Sequence, residues 1–138
     1  MSLSENSRRV ALQWVEYVNE GRLDDVMALG APDATWWVSG LKETSPFTGT
    51  YLYAEREEHL KGLLKNAISF KIEIRGITAE GDTVVVEGAP RGEAKDGRIY
   101  VNDIMMKFVI KDGKIQSLRE YVDFLAILKF TGARAEAS

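Results

Sequence analysis

The stretch KDGKIQSLREYVDF, residues 111–124, decides the fold. Asp112-Gly113 is a tight-turn pair that suits a two-residue hairpin. Strand alternation after it sets Ile115, Ser117, Arg119, Tyr121 and Asp123 on one face, so a turn feeds a strand that ends in a carboxylate. The segment before the turn, residues 99–110, carries Tyr100, Asn102, Ile104, Met106, Phe108 and Ile110 at period two, the pattern of a long strand covering a core. Two long antiparallel strands with polar groups among apolar ones are expected.

Working outward, Ile68, Phe70, Ile72 and Ile74 alternate with polar residues, and Glu80-Gly81-Asp82 turns the chain into a strand at Thr83–Glu87. A link from Gly92 to Gly97, with Asp96-Gly97 as its turn, leads into the 99–110 strand, giving a four-strand meander. The first half is helical. Ser4 is placed to cap a helix with Val10, Trp14, Tyr17 and Val18 on one stripe, and Gly21 stops it. Leu23, Val26, Met27 and Leu29 form a second, short helix that ends at Gly30-Ala31-Pro32, with a reversal at Pro32-Asp33. ATWWV at 34–38 reads as a strand with Ala34, Trp36 and Val38 on one face and Trp37 on the other. SGLKETSPFTGT at 39–50 is a loop, and a third helix spans about Tyr53 to Leu64. Helices followed by strands favour an α+β layer: a cone-shaped, curved antiparallel sheet wrapped around a pocket and covered by three helices of the N-terminal half.

The composition restricts the function classes. With 138 residues, 45% hydrophobic and 28% charged, the chain suits a single domain, 1–138, with a disordered tail at 131–138. No apolar run reaches the roughly 20 residues of a bilayer span, the N-terminus MSLSENSRR lacks the apolar block of a secretory signal, and a cytoplasmic location is expected. Zero cysteines and one histidine argue against thiol chemistry and a metal site. A net charge of −3 without a basic run gives no footprint for nucleic acid or an anionic membrane. The apolar tail at Phe124, Leu125, Ile127, Leu128 and Phe130 must be buried over the cavity mouth or against a second subunit, and the apolar face of Ile99, Val101, Met105 and Val109 predicts a homodimer.

The runs VALQWVEYVNEGRLDDVMALGAPDATWW and IYVNDIMMKFVIKDGKIQSLREYVDF resemble the opening helices and closing strands of the nuclear-transport-factor-two-like superfamily, in particular its SnoaL-like and ketosteroid-isomerase-like members. The resemblance implies the same cone-shaped fold around a pocket for a hydrophobic small molecule, and cofactor-independent chemistry. In the isomerases a general-base aspartate follows the first strand, and the matching position is Val38, which cannot move a proton. Their oxyanion-stabilising tyrosine matches Trp14, whose indole N–H still donates, and their second acid falls near Asp103, out of phase with Asn102. SnoaL-like cyclases are similar in placing an essential aspartate on the last strand, which matches Asp123.

The expected acid/base residue is therefore Asp123, with Asn102 and Trp14 as donors to a developing oxygen. Trp36, Val38, Tyr17, Tyr51, His59 and Leu63 are expected to line the pocket from the first half. Tyr100, Met106, Arg119, Tyr121 and Phe124 are expected to line it from the second. Arg119 shares a face with Asp123, whereas Glu120 lies opposite. His59, four residues after Glu55, can pair on the helix surface or turn its ring inward. The leading expectation is a small enzyme acting on a hydrophobic carbonyl compound by proton transfer. The alternatives are a binding protein without turnover, favoured by Val38, and an epoxide-hydrolase-like enzyme built on Asp103, Arg119 and Asp123.

Overall fold

The computed structural model describes residues 2–131. Helices α1 (Leu3–Asn19) and α2 (Leu23–Ala28) precede strands β1 (Gly30–Val38) and β2 (Gly49–Leu52), and a 3-10 turn (Tyr53–Arg56) runs into α3 (Glu57–Lys65). Strands β3 (Ala67–Glu80), β4 (Thr83–Ala94), β5 (Ile99–Val101), β6 (Ile104–Lys111) and β7 (Lys114–Tyr121) lead to α4 (Phe124–Thr131). The strands form one curved, unclosed sheet in the order β2-β1-β7-β6-β4-β3, with β5 paired to β4. The α+β class and the N-terminal helical layer agree with the sequence reading. One pair differs: β1 and β7 run parallel inside an otherwise antiparallel sheet.

Local chemistry explains the elements and three shifts of boundary. Ser2, not Ser4, caps α1, accepting from Glu5 N at 3.1 Å, while the Ser4 hydroxyl accepts from Gly81 N at 2.8 Å and ties the helix to the β3–β4 turn. Val10, Trp14 and Val18 are buried and Gly21, at φ +70°, ends the helix. Pro32 lies within β1 rather than before it, where pairing with β7 is interrupted between Gly30 and Thr35, so its missing N–H costs no ladder bond. The 99–110 strand is broken at residues 102–103 into β5 and β6, yet its inward set is continuous: Tyr100, Asn102, Ile104, Met106, Phe108 and Ile110 are all buried. The apolar tail is α4, and of the expected disordered tail Thr131 belongs to this helix while 132–138 lie outside the described residues.

The Asp112-Gly113 hairpin is as expected, with both residues at positive φ, 51° and 75°. The strand after it is not uniform. Opposite β6, Ile110 pairs with Ile115 but Val109 pairs with Ser117, so Gln116 is one residue too many and forms a bulge. The bulge reverses the facing of everything beyond it. Ile115 is buried before it and Leu118 is buried after it, so Glu120 and Val122 point inward with Leu118, while Arg119, Tyr121 and Asp123 point outward.

The core lies between the sheet and α1, α2 and α3. Tyr53 sits at its centre, where its hydroxyl donates to Val26 O at 2.6 Å and accepts from Trp14 Nε1 at 3.1 Å. Gly30 packs flat against this ring, and a Cβ there would fall 2.3 Å from Tyr53 Cδ1. Two hydrogen bonds at its hydroxyl hold the Tyr53 ring against this contact. Gly30→Ala is therefore expected to lose about 2–3 kcal/mol of stability by overpacking, read as a lowered urea midpoint at unchanged slope. A loss below about 0.5 kcal/mol would show that the ring is free to move.

Candidate functional site

The concave side of the sheet and the helices enclose an apolar cavity of about 130 Å³. Each layer contributes to its wall: Trp14 and Val18 from α1, Trp36 and Val38 from β1, Leu60 and Leu63 from α3, and Phe70, Tyr100 and Ile104 from β3, β5 and β6. Ile127, Phe130 and Thr131 of α4 close one end. A second, outer cavity of about 270 Å³ shares Phe47, His59, Leu63, Phe130 and Thr131 with the first and is otherwise bordered by more polar residues, among them Glu58, Asn66 and Arg98. The engineered cavity that admits benzene has about 150 Å³, so the inner chamber takes roughly one ring and the outer one accommodates the rest of a longer molecule.

One carboxyl stands inside the inner chamber. Glu120 is set beside Val38 across the parallel β1–β7 pair and beside Met106 across β6–β7. Its Oε1 accepts from Trp36 Nε1 at 2.5 Å, the one hydrogen bond to this carboxyl among the described residues. Burial raises its pKa from the ordinary 4.5 to about 7, against the smaller opposing pulls of the Trp36 hydrogen bond and the Arg56 charge.

Arg56 is buried but is not the partner of that carboxyl. Its Nη1 donates to Phe47 O at 2.7 Å, its Nη2 to Gly49 O at 2.7 Å, and Nε and Nη2 both reach Trp36 O, at 3.4 and 3.3 Å. The remaining Nη1 proton goes to His59 Nδ1 at 3.2 Å. The guanidinium thus pins the loop after β1 to that strand, and burial lowers its pKa. His59 is lowered as well, by burial first and then by the Arg56 charge.

The other polar groups are largely committed to one another. Asn102 uses all of its capacity: Oδ1 accepts from Asp103 N and Asp123 N at 2.9 and 3.2 Å, and Nδ2 donates to Tyr100 Oη and Asp123 O at 2.8 and 3.1 Å. It knots the β5–β6 break to the end of β7 and has no donor left for a ligand. Tyr100 accepts from Asn102, which leaves its own O–H to donate, and burial raises its pKa so that the phenol stays protonated. Its ring is stacked between Phe70 and Phe130, at 5.9 and 5.1 Å. Trp14 lines the chamber with its ring, but its N–H is spent on Tyr53.

The structure brings together Trp14, Trp36, Val38, His59, Leu63 and Tyr100 of the expected site, and adds Glu120 and Arg56, which the sequence reading did not select. The bulge at Gln116 turns the others of β7 away from the cavity. Asp123 is exposed, and its carboxylate accepts from Leu125 N at 3.0 Å as the cap of α4. Arg119 lies over the outer face of Trp37 at 3.9 Å, and Tyr121 packs against the same indole at 4.9 Å. Asp103 is exposed too, so the epoxide-hydrolase-like trio does not converge on the cavity. Tyr17 and Met106 pack in the core, Tyr51 packs on His59 from outside, and Phe124 is partly buried without bordering either cavity. Among the described residues no three His, Asp or Glu side chains are placed to share a metal, and no helix is long and apolar enough to cross a membrane.

Comparison with known proteins follows the same lines. TerC, co-crystallised with polyporic acid, superposes with a TM-score of 0.77 at 19% identity over 93% of this chain and 99% of its own. An NTF2-like protein of unknown function from Burkholderia pseudomallei gives 0.78 at 18%, over 93% and 98% of the two chains. An LEH-like epoxide hydrolase of M. tuberculosis gives 0.74 at 18%, over 94% and 95% of the two chains. At such identities these structures share the fold. No curated protein matches the sequence. The family model of the SnoaL-like domain matches residues 11–118, and the chain belongs to that family.

Proposed function

We propose that the protein is a small enzyme, working without a cofactor, that moves a proton on a hydrophobic carbonyl compound, with Glu120 as the general base. One observation carries the reading: a single carboxyl faces an apolar chamber, with Trp36 Nε1 its one hydrogen-bond donor among the described residues. A base poised near neutrality is what carbon acid chemistry requires. Glu120 Oε2 takes the proton from the carbon beside the carbonyl, the electron pair moves onto the carbonyl oxygen, and the Tyr100 O–H donates to that oxygen as charge develops. The resulting carboxylic acid then returns the proton to the ligand. Val38 occupies the position matching the isomerase base, and Glu120 is its direct neighbour on the adjoining strand. The carboxylate is thus carried one strand over. TerC, which holds polyporic acid, supports a pocket for an organic small molecule in this fold. The binding-protein alternative keeps its support in Val38 and is separated by turnover.

The outer face of the sheet has a role of its own in this reading. Ile99, Val101, Met105 and Tyr121 are 60, 53, 46 and 47% exposed there, and a second copy of the chain is the proposed cover.

Three outcomes are expected. On a panel of cyclic ketones, polyketide-like esters and epoxides, Glu120→Gln lowers kcat on any converted member by about 100-fold or more, whereas Asp123→Asn, which keeps the α4 cap, changes it less than about threefold. The wild-type rate rises with pH and levels off above about 7. An unchanged rate in Glu120→Gln removes the base from Glu120, and ligand binding without turnover anywhere on the panel favours the binding protein. Stability provides the second check. Because the folded-state pKa of about 7 exceeds 4.5, the native state holds the extra proton between those values, and stability falls as pH rises through that window. Glu120→Gln, which still accepts from Trp36, is expected to remove this loss and to gain about 2–3 kcal/mol over wild type at pH 8 relative to pH 4; parallel urea curves for both proteins at the two pH values would contradict a half-buried Glu120 that titrates in the cavity. Third, sedimentation at micromolar concentration shows a dimer that Met105→Glu shifts to monomer, and a wild-type monomer rejects the proposed pairing.

A further inference from the structure

His59 carries a constraint that the proton-transfer reading does not use. A guanidinium can only donate, so the 3.2 Å contact from Arg56 Nη1 obliges His59 Nδ1 to accept. The imidazole proton is thereby fixed on Nε2. Arg56 has no freedom to relax this demand, because its other donors are spent on Trp36 O, Phe47 O and Gly49 O. Phe47 and Tyr51 hold the ring in place at 5.2 and 5.7 Å. His59 borders both the inner and the outer chamber, whereas Glu120 borders only the inner one.

We propose that His59 is the anchoring donor of the site: its Nε2–H binds an acceptor oxygen of a neutral, elongated ligand where the two chambers meet, leaving the rest of that molecule in the inner chamber beside Glu120. The charges around the ring favour a neutral ligand. Arg56 is fully engaged, Glu58 and Arg98 border the outer chamber with opposite signs, Arg98 is already paired with Asp96 at 2.8 Å, and Lys42 lies over the far ring of Tyr51 at 4.3 Å. Arg56 keeps its charge but has no N–H left to give an anion, and Glu58 opposes Arg56 and Lys42 in sign. Burial and the Arg56 charge also push the imidazole toward its neutral form, in keeping with the acceptor role of Nδ1. The anchor deepens the proposed function, resting on it only for what happens at the Glu120 end of the ligand.

The chain contains one histidine, so the two imidazole nitrogens give a single assignable pair of ¹⁵N resonances. At pH 6.5, where an ordinary imidazole is half protonated, the free protein is expected to show a neutral ring with the proton on Nε2. The probe is 4-phenyl-2-butanone, and butylbenzene is its oxygen-free match. The ketone should shift the Nε2 resonance and the hydrocarbon should not. His59→Phe, which keeps an aromatic between Phe47 and Tyr51, should weaken the ketone about tenfold and the hydrocarbon less than about twofold, the difference of one hydrogen bond. A proton on Nδ1, an Nε2 signal unmoved at millimolar ketone, or equal weakening of both probes overturns the anchor. The two proposals fail separately: Glu120→Gln is expected to leave the Nε2 response intact, and if turnover also survives that change, the base assignment falls while the anchor stands.

Discussion

Ile115 and Leu118 are three residues apart on one strand, and both are fully buried. Regular alternation puts residues at an odd separation on opposite faces, so the strand satisfies both only by inserting one residue, Gln116, that neither neighbour pairs. The chemistry of the interior depends on that insertion. With it, Glu120 faces the cavity and Arg119, Tyr121 and Asp123 face away; regular alternation from Ile115 would put those three on the inner face instead. The constraint is hydrophobic in origin. Burying a Leu or Ile side chain is worth roughly 1.5–3 kcal/mol, enough to outweigh the ladder bond given up at a bulge, whose net value is about 1 kcal/mol.

Polar bookkeeping in the interior is nearly complete. Trp14, Tyr53 and Val26 form one closed chain, Asn102 serves four partners, and Arg56 spends its donors on three carbonyls and one imidazole nitrogen. Such satisfied networks stiffen the frame and are inert toward a ligand. Along the cavity wall they leave over the groups on which the proposed function rests, the second oxygen of Glu120, the proton of Tyr100 and the Nε2 proton of His59, while away from it the buried Ser7 Oγ has no partner among the described residues. An acceptor and two donors in an apolar enclosure form the usual makeup of a small-molecule pocket.

The solved structures that share this fold differ in what their names describe, from an epoxide hydrolase to a protein crystallised with polyporic acid. A common frame therefore places a cavity at a common point and leaves the functional groups to individual positions. Here the position matching the isomerase base is Val38, and its neighbour in register is Glu120. Neighbouring strands lie about 4.8 Å apart, and both side chains border the same cavity.

The sequence by itself determined the α+β class, the first three helices, strand β1 and the hairpins of the second half, the Asp112-Gly113 turn, and the inward set from Tyr100 to Ile110, because each rests on local periodicity or turn chemistry; β2, the β5–β6 break and α4 were not among these. It also held a partial signal for the missed carboxyl: Leu118 and Val122 frame Glu120 at two residues on either side, an apolar set that matches a buried face better than the one containing Arg119, Tyr121 and Asp123. Only the tertiary structure decided between those two sets, since a bulge arises from pairing with β6 and β1 and leaves no mark in the periodicity of β7 alone. It also decided which donors remain free. Asn102 and the Trp14 N–H look available as residue types and are consumed by partners 21 and 39 positions away, and those distances in sequence close only when the sheet curves around the helices.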